Sequence, residues 1–188
     1  EDLTLKQKLY IYYLAKATLC GRDIVTDQFG RHNLLIRKTL EAVYENFKGD
    51  RTSHDFQALT VYLKRVWFSN GIHHHYGCEK FVPDFSEPFF IEAVRQVGAD
   101  KLPLAEGQTV DSLLDELCPV IFNPSVQAKR VNQKDGDDLV KTSACNYYEN
   151  LSQKEVEDFY ASMRNPEDLT PISYGLNSTL RKHADGTI

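Results

Sequence analysis

Residues 52–71 read TSHDFQALTVYLKRVWFSNG, and this stretch decides the fold. Ser53 is placed to cap a helix, because its hydroxyl can accept a hydrogen bond from an amide of the first turn. The apolar side chains that follow recur at steps of three and four residues, at Phe56, Leu59, Leu63, Val66 and Trp67. Asn70-Gly71 ends the pattern. The stretch therefore predicts a helix with one apolar face.

Five further segments carry a similar helical pattern. They run from about Leu5 to Cys20 with Gly21 as the stop, from Leu34 to Phe47, from Ser86-Glu87-Pro88 onward, from about Val110 to Leu117 ahead of Pro119, and from the Ser152 capping box to about Met163. Residues 72–85 show no period, residues 123–138 are polar and turn-rich, and Leu139 to Cys145 is predicted as one short strand. We expect one all-α domain spanning 1–188, a bundle-like array of about six helices with long loops.

Composition limits the classes of partner. The 188 residues include 22 Lys and Arg against 27 Asp and Glu, a formal charge of -5, so the basic footprint typical of nucleic-acid-binding proteins is missing. No apolar run approaches the ~20 residues that cross a bilayer, so a membrane partner is not expected either. The four cysteines, Cys20, Cys78, Cys118 and Cys145, are far apart and favour buried thiols over a disulfide framework.

The two ends of the sequence are interpreted as internal to a longer protein. The sequence starts with Glu1 rather than Met, and it stops shortly after the turn signal Asp185-Gly186. We expect a cytoplasmic protein. The periplasm stays open as the alternative, because the true N-terminus is taken to be missing.

The loop after Gly71 contains three consecutive histidines, His73, His74 and His75, close to Cys78. A single metal ion is not expected here, because consecutive side chains diverge on a regular backbone and zinc sites usually draw on two spaced ligand pairs. We instead predict a loop whose rings stack, form hydrogen bonds or contact a ligand.

Aromatic residues at helical spacing are expected in the core. The set is Tyr10, Tyr12, Tyr13, Trp67, Phe68, Phe89 and Phe90. The sequence has no His-Glu-x-x-His helix and no glycine-rich phosphate loop, so it carries no catalytic motif of its own. We therefore assign no catalytic residue and no metal ligand to this chain.

Four patches resemble segments of the dipeptidyl peptidase III family, in the same order along the chain. They are Leu9 to Ala17, the helix end Val66 to Gly71 with Tyr76 to Pro83, the aromatic-Asn turn Asn146 to Asn150 before the Ser152 capping box, and Ser173 to Leu180. The run Lys80-Phe81-Val82-Pro83 is short, and the resemblance rests on the order of all four patches.

The resemblance implies that the parent is a two-lobed zinc exopeptidase, which removes dipeptides from the N-terminus of short peptides. The family's zinc helix, His-Glu-x-x-Gly-His, and its distant Glu ligand are absent from this sequence. The chain would then be the mostly helical N-terminal part of the lower lobe, inactive alone and without a cofactor of its own. It would contact short peptides and the remaining part of the same chain.

The same resemblance indicates a substrate-binding loop. Tyr76 and Gly77 match the family's aromatic-Gly pair, which lines the floor of the peptide cleft, and the adjacent His74 and His75 are further candidates for substrate contact. The histidine triplet itself departs from the family pattern.

Two other classes of function stay open. One is a stand-alone helical interaction module that binds a partner through residues 72–85. The other is a small enzyme that uses His73, His74 or His75 as a general base, since imidazole titrates near neutral pH. A downstream His-Glu-x-x-Gly-His in the parent reading frame would decide for the peptidase.

Overall fold

The computed structural model describes residues 2–168 and 179–188, and it confirms the all-α class. Within these ranges the helices are α1 (Leu5–Phe29), α2 (Asn33–Asn46), α3 (His54–Ser69), α4 (Glu87–Gln96), α5 (Val110–Phe122), α6 (Leu139–Thr142) and α7 (Gln153–Ser162). Strands β1 (Tyr148–Glu149) and β2 (Leu180–Arg181) pair in parallel. The Ser173 to Ser178 part of the fourth resemblance patch lies outside the described residues.

Helices α2 to α5 enclose the hydrophobic core. The fully buried side chains that meet there include Ile36 and Leu40 of α2, Leu59 and Leu63 of α3, Phe90 of α4, and Leu113 and Leu117 of α5. Ile72 and Phe85, at the two ends of the loop after α3, are buried in the same core. The loop is thus held at both ends by the packing of the helices.

Helix α1 lies mostly outside this core. Every residue of 5–20 is exposed, whereas Thr26, near the other end of the helix, is buried. We call residues 5–20 the α1 arm. Its exposed apolar side chains are Leu5, Leu9, Tyr10, Ile11, Tyr12, Tyr13, Leu14 and Leu19.

The prediction that α1 stops at Gly21 is wrong. The helix continues to Phe29, and Gly30 caps it by donating its amide to the carbonyl of Asp27. Gly21 keeps helical geometry within α1, because a glycine inside a helix lowers stability by only about 1 kcal/mol and does not by itself break the helix.

Two further boundaries differ from the predictions. Helix α5 extends past Leu117 to Phe122, because Pro119 lies in its last turn and removes only one helical hydrogen bond. The stretch Leu139 to Cys145 is not a strand. Its first four residues form α6, because the Asp138 carboxylate accepts hydrogen bonds from the amides of Val140 and Lys141 and so starts a helix.

Burial of the aromatic and cysteine side chains was predicted only in part. Phe90 is buried and Phe89 partly so, but the other five aromatic residues are exposed. The reason is that these residues lie on residues 5–20 of α1 and on the outer part of α3, which the described part of the chain leaves exposed. All four cysteines are free thiols, of which only Cys118 is buried. None of the described helices is both long and apolar enough to cross a bilayer.

The side chain of Asn33 joins the start of α2 to the end of α3. It is 1% exposed, and its Oδ1 accepts a hydrogen bond from the amide of Ile72 at 3.2 Å. Gly71, with φ +151°, leaves room for it, since a Cβ there would lie 2.2 Å from the Asn33 Nδ2. A side chain at position 71 is therefore excluded by both conformation and space.

Two glycine substitutions should have opposite effects on stability. Gly21→Ala should raise the free energy of unfolding by about 0.5–1 kcal/mol, because position 21 is helical and nothing lies within 4 Å of the new Cβ. Gly71→Ala should lower it by at least about 2 kcal/mol. Urea denaturation measures both, and equal effects of the two variants would contradict this account of the end of α3.

Candidate functional site

The loop after α3 forms a tight antiparallel hairpin. Asn70 ends the helix in the left-handed conformation, with φ 53°. The amide of Phe81 then donates to the carbonyl of Ile72 at 2.8 Å, and the amide of His74 donates to the carbonyl of Glu79 at 2.7 Å. Residues 72–81 are therefore an ordered element rather than a long open loop.

The tip of the hairpin presents Tyr76 to solvent. The Tyr76 ring is 85% exposed, although its backbone is held. The Nδ1 of His74 accepts hydrogen bonds from the amides of Tyr76 and Gly77, at 3.3 and 3.1 Å, and the amide of Cys78 donates to the His74 carbonyl. An imidazole thus fixes the turn that carries the aromatic ring.

His75 lies in a row of rings beside the tip. Its ring centroid is 4.4 Å from that of Tyr76 and 4.6 Å from that of His74. On the other side it meets Phe68 of α3 edge-to-face, at 4.9 Å and 87°. The rings of this loop therefore contact one another in tilted or edge-to-face geometry rather than stacked, and the predicted hydrogen bonds form. The predicted substrate residues His74 to Gly77 lie together at the tip of the hairpin.

His73 points the opposite way, into the protein. It is 2% exposed, and its Nε2 lies 2.7 Å from the carbonyl oxygen of Gln127. Because a carbonyl only accepts, the proton belongs on Nε2 in the neutral ring. Burial, together with the nearby cations of Lys80 and Arg130, lowers the pKa of His73 to about 4, although the bond to Gln127 acts in the opposite direction.

This position removes His73 from the small-enzyme hypothesis. A general base of the kind required has access to solvent and a pKa near neutrality, whereas His73 is buried and stays neutral down to acid pH. The side chain of His73 diverges from those of His74 and His75, whose rings contact each other. Among the residues that the structure describes, no group of three or more His, Cys, Asp or Glu side chains could hold a metal ion.

Lys80 anchors the second strand of the hairpin to the end of α5. Its Nζ donates to the carbonyls of Val120 at 2.9 Å, Val126 at 2.6 Å and Asn123. An ammonium group has three N–H donors, so all of them are used. Two satisfy carbonyls at the C-terminus of α5, where a positive charge is favourable, and the third satisfies a carbonyl of the loop that follows. Partial burial lowers the pKa of Lys80.

A segment that the sequence analysis passed over supports the hairpin from its outer side. The amide of Lys80 donates to the carbonyl of Ala128, and the amide of Arg130 donates to the carbonyl of Cys78. The Arg130 guanidinium also donates to the His75 carbonyl at 3.0 Å and lies over the ring of Phe29. The ion pair of Lys129 with Glu79, at 3.1 Å, lowers the pKa of the Glu79 carboxyl.

Two clefts flank the row of rings. One, of about 610 Å³, is lined by Tyr76, Gly77 and Cys78 with the segment from Lys129 to Lys134. The other, of about 380 Å³, lies between α3 and the hairpin and is lined by His74 and His75. The four predicted substrate residues are thus divided between two neighbouring concave surfaces.

Removing the Lys80 charge should destabilise the fold. Lys80→Met leaves three carbonyls at the end of α5 and in the loop that follows without their donor, so we expect a loss of about 2–3 kcal/mol in the free energy of unfolding. Lys129→Met is the matched control, because an exposed ion pair contributes about 0–1 kcal/mol. Chemical denaturation compares the two. A smaller loss for Lys80→Met than for Lys129→Met would contradict the anchoring role.

Burial of neutral His73 should make stability depend on pH. Between about pH 6.5 and 4 the unfolded chain binds a proton at this ring and the folded chain does not, so stability is full above pH 6.5 and falls as the pH is lowered. The loss should reach about 3 kcal/mol near pH 4. His73→Gln keeps an amide donor but does not titrate, so its free energy of unfolding should fall by about 3 kcal/mol less between pH 6.5 and pH 4. The same pH dependence in both proteins would show that His73 titrates normally.

Comparisons with protein families and with curated proteins add no relative. No protein-family model matches the chain, and no curated protein matches it. The relation to dipeptidyl peptidase III therefore stays a prediction that rests on the four sequence patches.

Proposed function

We propose that this chain is the non-catalytic helical part of a dipeptidyl peptidase III-like protein, and that its Tyr76 loop forms part of a cleft for short peptides. The observation that carries the proposal is the exposed Tyr76 ring on a turn whose backbone is fixed by His74. A rigid aromatic ring presents a large contact surface at a low cost in conformational entropy.

The surroundings of Tyr76 suit a peptide. The cleft beside the ring is lined by Tyr76, by Gln133, whose side chain is an amide, and by Lys134, whose side chain is an ammonium group. Amide groups pair with peptide backbone, and ammonium groups attract carboxylates. This combination supports binding of short, unstructured peptides rather than of nucleic acid, whose phosphates would meet a chain of net charge -5.

The zinc ion that the resemblance implies does not fit the residues of this chain. The sequence contains no His-Glu pair, and its described part offers no cluster of metal ligands. In the proposed protein, zinc and the chemistry of bond cleavage belong to a later part of the parent. The role of this chain is to hold and orient the peptide.

The α1 arm supports a role inside a larger protein. Its apolar side chains extend around the helix, from Leu5 and Tyr10 to Tyr13 and Leu19, and all are exposed. A helix that is apolar on all sides is normally covered by other protein. In the proposed parent, which we place in the cytoplasm, the remaining part of the same chain covers the arm.

A stand-alone interaction module is the second candidate. The same exposed arm favours it, because an apolar helical surface with three lysines and no acidic residue between positions 5 and 20 suits a separate acidic partner. The two candidates differ in the parent reading frame, where only the peptidase requires a downstream His-Glu-x-x-Gly-His.

Tyr76→Ala tests the peptide-binding role. Because the ring is 85% exposed, the substitution should change the free energy of unfolding by less than about 0.5 kcal/mol. It should weaken the binding of short peptides about tenfold, both in this chain and in the full-length parent. Isothermal titration calorimetry and urea denaturation measure the two effects.

Tyr10→Ala is the matched control. Tyr10 is 66% exposed but lies on the α1 arm, so its loss should leave peptide affinity unchanged. A loss of stability of about 3–5 kcal/mol for Tyr76→Ala, with unchanged affinity, would make the ring part of the fold and remove the support for the cleft.

A further inference from the structure

The smaller cleft beside the hairpin lies against the C-terminal half of α3. Phe68 and Val61 of α3 form one wall, and His75 and Phe81 of the hairpin form the other. Phe68 is 72% exposed and Val61 is 45% exposed, so both leave apolar surface in water. The volume of about 380 Å³ lies within the range of small-ligand pockets.

Two residues that line this cleft each have a buried polar atom without a hydrogen-bond partner in the part of the chain that the structure describes. These atoms are the hydroxyl of Ser69, a residue 3% exposed, and the buried Nδ1 of His75. A helical hydroxyl often bonds to the carbonyl four residues earlier, as Thr60 does to Phe56 at 2.9 Å in the same helix. Ser69 makes no such bond. Buried polar atoms are rarely left unsatisfied without a reason, and a ligand is one such reason.

The charges at the rim of the cleft are positive. Lys64 and Arg65 of α3 both line it. Arg65 has one weak ion pair, with Asp84 at 3.9 Å, and its side chain remains 46% exposed. An apolar cleft with two cations at its edge is complementary to a bulky apolar group that lies next to a carboxylate.

We propose that this cleft, here named the Phe68 cleft, binds the C-terminal residue of a short peptide when that residue is bulky and apolar. The side chain packs on Phe68, a peptide N–H or C=O pairs with Ser69 or His75, and the terminal carboxylate faces Lys64 and Arg65. The inference rests on the proposed peptide-binding role of the loop, because the ring of His75 joins the Phe68 cleft to Tyr76.

Titration of the labelled chain with tetrapeptides, followed by NMR, tests the specificity. Ala-Ala-Ala-Phe should bind about tenfold more tightly than Ala-Ala-Ala-Gly, because only the first buries an aromatic ring. The C-terminal amide of Ala-Ala-Ala-Phe should bind several-fold more weakly than the acid. Equal affinities for the three peptides would overturn the proposal.

Variants of the cleft separate binding from folding. Phe68→Ala should weaken binding of Ala-Ala-Ala-Phe about tenfold. Ser69→Ala should weaken it several-fold while leaving the melting temperature unchanged or higher, because it removes an unpaired buried hydroxyl. Thr60→Ala is the matched control and should leave the affinity unchanged. Unaltered affinity in both cleft variants would overturn the proposal.

The outcome for Tyr76→Ala distinguishes this inference from the proposed function. If Tyr76→Ala weakens binding and Phe68→Ala does not, the Phe68 cleft is excluded and the peptide-binding loop stands. If no tetrapeptide binds, both proposals fail.

Discussion

The side chain of Asn33 fills the space between two glycines, and the placement of the hairpin depends on it. A Cβ on Gly30 or Gly71 would lie 2.8 or 2.2 Å from its amide nitrogen, and its oxygen accepts the amide of Ile72. One buried amide therefore contacts both the end of α3 and the turn that joins α1 to α2. Because Ile72 is the first residue of the hairpin, this contact sets where the hairpin leaves the helical core.

The exposed rings of the hairpin are held in place by buried polar contacts of their neighbours. His73 and Lys80, which pair across the two strands, bond to the carbonyl of Gln127 and to carbonyls at the end of α5. These partners are 40 to 54 residues away in sequence, and nothing local to the histidine run indicates them. Sequence reasoning therefore predicted ring contacts in this loop, but not the distant partners that fix its backbone.

The helical fold was predictable where a cap and an apolar period coincide. Ser53, Ser86 and Ser152 each accept the expected first-turn hydrogen bond, and the helices after them begin where the sequence indicates. Stop signals were less reliable. Gly21 and Pro119 lie inside helices. The free energy that one glycine or one late proline costs is smaller than the free energy that the neighbouring helical turns and contacts contribute. Exposure of the aromatic residues could not be predicted, since an apolar period shows that a helix has an apolar face but not whether another element packs on that face.

The α1 arm has a consequence for local stability. Residues 5–20 are exposed in the described part of the chain, so their helical turns gain little from packing, and most helical stability in proteins comes from such packing. Gly21 lies where the arm joins the packed part of α1. The free energy of local unfolding of the arm should therefore be close to zero. Helices α2 to α5 should unfold only together with the whole core. A partner surface that covers the arm must offset the conformational entropy that the arm loses on becoming helical. Association there is therefore coupled to helix formation.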